Sequence, residues 1–293
     1  MTCGEAQRIE IKQITPYSAD NMRRYRIVLL IYFCVGIPAW AQTNTAGTSL
    51  EKHIQTEIEH FYSQYLHMLE TGESRVSLLH DIFTPEMCDK YYRQVCKLDA
   101  DPLLGGQDFE QGETYKCRHL DGAWYEVYWR EAYSNTIKRI PIRCIIDSLG
   151  KTKISHIAPE TGKYGDDFIH INVLPVVHKN AFDFLTSFYS NYLAPYIRMS
   201  LNLKQDLERI RARYCTEEFL VAHPISRDDE WFCDTDPLIA NMGDVDGWSY
   251  HALSIKDCGQ GWYMINFGLE KVQIRIELVK AKGVYKIANL RYE

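Results

Sequence analysis

Two aspartate pairs in this chain have the spacing of a possible chemical site. Asp99 and Asp101 form one pair, Asp234 and Asp236 form the other, and the second member of each pair precedes a proline. Clustered carboxylates on a loop are ligands that Ca²⁺ prefers, but the sequence lacks the complete EF-hand calcium loop. An aspartate before proline also favours a turn, in which its side chain accepts hydrogen bonds from the backbone N–H groups just after it. We therefore predict that Asp101 and Asp236 are turn residues and that the chain holds no metal.

Aspartate combined with tyrosine could instead perform acid–base chemistry. An aspartate in an apolar pocket can remove a proton while a tyrosine or histidine stabilises the oxyanion. Two sets could supply this chemistry: Asp101 with Tyr62, Tyr65, Tyr125 and His119, and Asp236 with Tyr189, Tyr192, Tyr263 and His251. The 20 tyrosines in the chain make either combination unspecific. The sequence also contains no nucleophile elbow, Walker loop, dinucleotide fingerprint or zinc-protease motif. We predict no catalytic residues and no cofactor, and keep an isomerase-like or dehydratase-like enzyme as the alternative.

A tryptophan–tyrosine pair follows each aspartate pair and adds aromatic surface. An antiparallel sheet with one covered face can offer its other face to a partner, so we predict a non-catalytic module that binds a protein, peptide or glycan. An inhibitor of a basic envelope toxin is an alternative of the same class, because charge complementarity speeds association. The predicted binding surface comprises Asp99, Asp101, Trp124, Tyr125, Asp234, Asp236, Trp262 and Tyr263.

The composition indicates a folded, acidic protein. Hydrophobic residues make up 46% of the 293 residues and charged residues 25%, which are ordinary values for globular proteins. The formal net charge of −6 has the wrong sign for an electrostatic grip on nucleic acid. We therefore expect no nucleic-acid partner.

An internal repeat organises most of the sequence. Phe61–Leu66 recurs as Phe188–Leu193 with a single change, and Thr84 recurs in the same order as Thr216. The aspartate pairs and the tryptophan–tyrosine pairs keep this order as well. A match of this kind predicts one domain that has been duplicated. The predicted organisation is a first domain at 50–158, a linker at 159–179 and a second domain at 180–293.

Both copies change from a helical to an alternating pattern in the same way. Helices followed by antiparallel strands predict the α+β class. Predicted helices cover His53–Glu70, Ser74–Phe83, Pro85–Gln94, Ala181–Tyr196, Leu203–Arg213 and Glu217–Ala222. Predicted strands cover Tyr115–Leu120, Trp124–Ala132, Ile137–Asp147, Thr152–Ile157, Trp248–Lys256, Trp262–Gly268, Lys271–Lys280 and Val284–Tyr292, with an extra strand at Phe168–Leu174.

This arrangement resembles a known fold. Helices before a curved four-stranded antiparallel sheet resemble the nuclear transport factor 2-like cone fold. The Asp-x-Asp-Pro-Leu segment, the Gly-Gln-Asp-Phe at 106–109 and the closing Gly-x-x-Lys-Ile hairpin resemble the exported domain-of-unknown-function family 3828. The resemblance covers both copies and implies two tandem cone-like domains, each with N-terminal helices packed on a curved antiparallel sheet. It implies no reaction, and the second copy departs from it at 240–246.

The first 41 residues have the features of a leader with a signal peptide. A basic stretch starts at Met22, an apolar run covers Ile27–Ala39, and Ala39-Trp40-Ala41 offers small residues for cleavage. Met22 is the better translation start, since residues 1–21 place a polar segment ahead of the basic region. No later stretch is apolar enough for a membrane span. We expect a bacterial protein that is periplasmic or secreted after cleavage near Ala41. Seven of the nine cysteines follow that position, and most are expected to be buried free thiols.

Expression from Met22 should yield an exported product that begins at Gln42, because the basic, apolar and Ala-x-Ala regions occur in the order that signal peptidase requires. N-terminal sequencing of the product measures this directly. A product that retained Met22, or that stayed in the cytoplasm, would contradict the expected export.

Overall fold

The computed structural model describes residues 39–98, 101–106, 113–131, 134–158, 163–228, 233–240, 245, 247–268 and 273–292. The fold is α+β, with two four-stranded antiparallel sheets and helices that precede each of them. Almost all of the predicted leader at 1–41 lies outside the described residues, and so does Asp99. Residues 39–41 form the start of the first helix.

The first half places three helices before one sheet. Its elements are α1 (Ala39–Thr71), α2 (Val76–Ile82), α3 (Pro85–Leu98), β1 (Lys116–Asp121), β2 (Trp124–Arg130), β3 (Ile137–Ile146) and β4 (Thr152–Ile157). The strands pair in sequence order, each antiparallel to the next. In α1, apolar residues return every three or four positions, and Ile54, Ile58, Phe61 and Tyr65 are buried on that face. Helix α1 begins earlier than predicted, at Ala39 instead of His53.

The second half repeats this order after a short connection. Its elements are α4 (Asp166–Ile169), α5 (Ala181–Ile197), α6 (Leu203–Tyr214), α7 (Glu217–Ala222), β5 (Ser226–Asp228), β6 (Cys233–Thr235), α8 (Gly247–His251), β7 (Ser254–Gly259), β8 (Trp262–Asn266), β9 (Gln273–Ala281) and β10 (Val284–Tyr292). Strands β7 to β10 form the second sheet in sequence order, and β5 pairs with β6 in a separate hairpin. A 3-10 turn at Pro237–Ile239 follows Asp236. Among the described residues, no helix combines the length and the apolar character that crossing a bilayer requires.

Each sheet packs one face against its helices, and aromatic rings fill the space between them. In the first half, the Tyr62 ring stacks on Tyr115 at 5.2 Å between centroids, and Tyr115 stacks on Trp129 at 4.5 Å. In the second half, Phe188 stacks on Tyr192 at 5.2 Å. The opposite face of each sheet, which we call its outer face, carries the alternate residues of every strand.

A threonine tethers a helix to the last strand of each half. The Thr84 hydroxyl accepts a hydrogen bond from Met87 N–H at 3.2 Å, and its own N–H donates to the Ile154 carbonyl at 3.1 Å. Thr216 likewise accepts from Phe219 N–H at 3.1 Å and donates to the Ile287 carbonyl at 2.9 Å. Each threonine therefore caps a helix start and holds it at a fixed place on the sheet.

The strands predicted at Phe168–Leu174 and Trp248–Lys256 begin as helices in the structure. Phe168 and Ile169 lie in helix α4, and Trp248 lies in helix α8, where strands were predicted. A Cβ on Gly247 would lie only 1.8 Å from the Phe168 carbonyl oxygen, so α4 and α8 meet at a glycine where the backbones approach closely. Gly247 and Phe168 are far apart in the sequence. The alternation of apolar and polar residues, from which the strands were predicted, carries no information about such a contact.

Replacing Thr84 or Thr216 with Ala should lower the free energy of unfolding by about 1 kcal/mol each, because a first-turn N–H loses its acceptor. Thr→Ser at the same positions keeps the hydroxyl and serves as the matched control. Urea denaturation measures the difference. Equal stability of the Ala and Ser variants would contradict the capping role.

Candidate functional site

Asp236 lies at the centre of a buried cluster in the second half. Its Oδ2 accepts hydrogen bonds from the hydroxyls of Tyr192 at 2.8 Å and Tyr196 at 2.7 Å, both on α5. Its Oδ1 accepts from Leu238 N–H at 3.0 Å, which closes the predicted turn before the 3-10 segment. Arg211, on α6, places Nη1 3.8 Å from Oδ1. Among the described residues, the side chain of Asp236 therefore contacts two hydroxyls, one backbone N–H and one cation.

Burial dominates the electrostatics of this cluster. Asp236 and Arg211 are each only 2% exposed. Loss of solvent raises the pKa of Asp236 above its ordinary value, while the hydroxyls of Tyr196 and Tyr192 and the charge of Arg211 lower it. Asp236 is therefore a buried turn residue that two tyrosine hydroxyls and a backbone N–H hold in place, with Arg211 as the neighbouring cation.

Asp101 occupies the corresponding place in the first half with a different set of partners. Its Oδ1 accepts from Leu103 N–H at 2.9 Å, and its Oδ2 accepts a short hydrogen bond from the Tyr65 hydroxyl. The hydroxyls of Tyr65 and Tyr91 are 2.9 Å apart, and Arg75 Nη1 lies 3.4 Å from the Tyr65 hydroxyl. Burial raises the pKa of Asp101, and the hydrogen bond from Tyr65 opposes this shift.

Neither Asp101 nor Asp236 lines the two surface pockets of the described part of the chain. Two surface pockets, of about 530 and 480 Å³, are lined by other residues. The larger lies beside α2 and α3 and includes Cys88, whose Sγ is 3.6 Å from His80 Nδ1. The smaller lies beside α5 and includes Phe182. A proton-abstracting aspartate must reach its substrate, whereas the described contacts of Asp101 and Asp236 are to tyrosine hydroxyls and turn N–H groups.

The aspartate pairs do not form a metal centre among the described residues. No group of three or more His, Cys, Asp or Glu side chains there could hold a metal ion. Asp234 lies in β6, where its backbone pairs with Arg227. Asp99, the remaining member of the pairs, lies outside the described residues.

Four cysteines whose side chains the structure describes are buried free thiols: Cys88, Cys117, Cys144 and Cys215. Cys258 is partly exposed. Burial raises the pKa of the Cys117 and Cys215 thiols to about 12, which makes them poor nucleophiles.

Trp124 is buried on the outer face of the first sheet by a segment that follows β4. This segment, Tyr164–Ile169, is called the strap below. The indole N–H of Trp124 donates to Asp166 Oδ1 at 3.1 Å, and Arg143 Nε donates to the same oxygen at 3.3 Å. The Tyr164 ring lies 5.6 Å from the indole, and Ile169 joins the same apolar cluster. One strap carboxylate thus receives two donors from the sheet.

The corresponding tryptophan of the second sheet has different surroundings. Trp262 is half-buried, and Arg291 places its guanidinium 4.5 Å from the indole ring. None of the described residues accepts a hydrogen bond from the Trp262 indole N–H. A cross-strand row beside it runs Lys256, Met264, Arg275 and Arg291, with each residue directly opposite the next.

The fold buries some residues of the predicted binding surface and leaves others partly exposed. Trp124, Tyr125 and Asp236 are buried, so these side chains offer nothing to a partner and that part of the prediction is corrected. Asp101 is engaged as described above. Tyr263 packs against the core with its ring edge-on to Phe182 at 5.7 Å. Trp262 is the predicted aromatic residue that lies on an outer face and remains partly exposed.

The sequence repeat does not include several residues that complete these sites. Arg211, Tyr196 and Arg291 have no counterparts in the repeat motifs that the sequence shares between its halves. The alternation within β8 and β9 could have placed Met264 and Arg275 on one face with Trp262. No local signal predicts the strap, because its contacts depend on the fold of β2 and β3.

Replacing Asp236 with Asn should lower the free energy of unfolding by about 3–5 kcal/mol, because it leaves Arg211 buried without its counter-charge. Asp101→Asn should cost less, about 1–2 kcal/mol, since the amide oxygen still accepts from Leu103 N–H. Adding Arg211→Met to the first variant should recover part of the loss. Urea unfolding of the three variants tests this, and equal costs at both aspartates would contradict the role of Arg211.

Comparison with known proteins gives one similar solved structure. No family model matches the chain, and no match was found among curated proteins. The crystal structure of a protein of unknown function from Bacteroides thetaiotaomicron VPI-5482 is 27% identical over 41% of this chain and 99% of that chain, with a TM-score of 0.37.

Proposed function

We propose that this chain is a non-catalytic binding module whose ligand is a protein or peptide segment. The strap carries this proposal, because it is a peptide segment seated on an outer sheet face through an aromatic ring and a shared carboxylate. The outer face of an antiparallel sheet suits such a partner, since alternate side chains of several strands present one continuous surface. The described part of the second sheet offers Trp262 and Met264 on the equivalent face.

The arrangement of Asp101 and Asp236 supports binding over catalysis. Both carboxylates receive donors from tyrosines and from the turn itself, and these contacts stabilise the junction between helices and sheet. Neither lines the two pockets. The same arrangement gives no support to an isomerase-like reaction.

We also propose that the two halves are a duplicated domain with a cone-like fold. The threonine caps at Thr84 and Thr216 make the same pair of contacts in each half. Cys144 N–H donates to the Ala123 carbonyl at 2.8 Å, and Leu278 N–H donates to the Gly261 carbonyl at the same distance. These matched contacts span residues that the sequence repeat also pairs.

Export to the periplasm or beyond the cell completes the proposal. Its support is the basic stretch, the apolar run and the Ala-x-Ala motif before Gln42. A binding module at that location would meet envelope proteins. A protein inhibitor of an envelope toxin is one form that such a module could take.

A photo-crosslinking residue tests the binding surface. Met264 replaced by p-benzoylphenylalanine should form a covalent adduct with a partner protein in the producing cells, since this position lies beside Trp262 on the outer face. Adding Trp262→Ala should abolish the adduct while the circular dichroism spectrum stays unchanged.

Val221 provides the matched control position, because its side chain is 83% exposed and lies on helix α7 instead of on a sheet strand. The same reagent at Val221 should give no adduct. Equal adducts at both positions, or none at Met264 in the folded chain, would contradict the proposed surface.

A further inference from the structure

We propose that the outer face of the second sheet binds an acidic protein segment, with a carboxylate that accepts from the Trp262 indole N–H and pairs with Arg291. This inference rests on the proposed binding function and adds the chemistry of the ligand. The surface is defined by Lys256, Trp262, Met264, Arg275 and Arg291.

The first sheet shows how this face holds a carboxylate. Asp166 of the strap accepts from an indole N–H and an arginine N–H together. Trp124 and Arg143 are directly opposite each other on β2 and β3, so the sheet itself sets the spacing of the two donors. A bond between charged partners is stronger than one between neutral groups. The pair therefore selects a carboxylate.

The second sheet has a tryptophan at the matching position, but the cation beside it lies on a different strand. Trp262 is directly opposite Glu277, where the first sheet has Arg143 opposite Trp124. The cation near the indole is Arg291, which comes from the edge strand β10. Glu277 repels a carboxylate on the β9 side of Trp262. The carboxylate of the ligand therefore binds on the β10 side, next to Arg291. The indole N–H remains available to it.

The neighbouring cross-strand row carries a different charge in the two sheets. In the first sheet, Arg118 and Glu126 are opposite each other and form an ion pair at 2.6 Å, which neutralises the row. In the second sheet, the row contains Lys256, Met264, Arg275 and Arg291. Lys256 and Arg291 form no ion pair with a described residue and attract an anion, although the chain as a whole is acidic with a net charge of −6.

An extended protein segment fits this surface better than a small anion. The row crosses four strands, and neighbouring strands lie about 4.8 Å apart. Met264 stands between Lys256 and Arg275, next to Trp262, and supplies apolar contact that a free carboxylate cannot use. A segment with carboxylates and an aromatic residue, like the strap itself, uses both kinds of contact.

Two synthetic peptides test this chemistry on the full chain. The acidic peptide has the strap sequence Tyr-Gly-Asp-Asp-Phe-Ile, blocked at both ends and labelled with a fluorophore. The matched peptide carries Asn at both Asp positions. Fluorescence anisotropy should show that the acidic peptide binds at least about tenfold more tightly, which is about 1.4 kcal/mol. Raising the salt from about 0.05 M to about 0.5 M should weaken this binding, since exposed charges are screened.

Four variants locate the binding. Arg291→Gln should weaken binding of the acidic peptide about tenfold, and Trp262→Phe, which removes the indole N–H, should weaken it as well. Lys204→Gln removes an exposed cation on α6 and should have no effect. Arg143→Gln, on the first sheet, should also leave binding unchanged.

Each contrary result overturns the inference in its own way. Loss of binding in Arg143→Gln alone would mean that the peptide replaces the strap on the first sheet. Equal binding of the Asn peptide, or equal competition by free acetate, would remove the acidic segment as ligand. Either result leaves the crosslinking test of Met264 unaffected, so a failure of this inference is distinguishable from a failure of the binding function. Binding of neither peptide would overturn the inference too.

Discussion

In each half of this protein, a turn aspartate that accepts hydrogen bonds from fixed donors connects the helices to the start of the sheet. Removing a carboxylate from water costs several kcal/mol unless hydrogen bonds and a counter-charge replace the lost hydration. Asp236 meets this requirement with Tyr192 and Tyr196 on α5 and Arg211 on α6. Because each donor belongs to a helix and the aspartate belongs to the turn, satisfying the charge fixes the helices relative to the segment that enters the sheet. Arg211 extends this constraint by donating to the His223 carbonyl after α7.

The two halves meet the same requirement with different residues. Tyr65 and Tyr192 occupy matching places in the repeat, but the second tyrosine is Tyr91 from α3 in one half and Tyr196 from α5 in the other. The first half has no arginine within ion-pair distance of Asp101 among the described residues. The two halves therefore share a turn aspartate that accepts from a tyrosine hydroxyl and a backbone N–H, and the remaining partners differ. Both aspartates hold a turn, but only Asp236 has an arginine at ion-pair distance among the described residues. Removing its charge should therefore destabilise the fold more than removing that of Asp101.

The outer faces of the two sheets have diverged further. In the first sheet the strap covers Trp124, and the carboxylate of Asp166 receives two donors, so this face is satisfied within the chain. In the second sheet Arg291 lies over Trp262, and cations occupy the adjacent row. The covered face thus provides a physical example of what the other face can hold. In our proposal, the partly exposed face of the second sheet is the one that binds a partner.

The sequence by itself determined the α+β class, the long helices, the four strands of each sheet and the turns at Asp101 and Asp236. These features depend on periodicity and on hydrogen bonds between near neighbours. It did not determine which outer face is covered. Trp124 and Trp262 have the same local sequence signal, yet one is buried and the other is partly exposed. That difference comes from residues far away in the chain: Asp166 reaches the first sheet, and Arg291 reaches the second. Burial and charge at these faces are properties of long-range packing, so only the tertiary structure decided them.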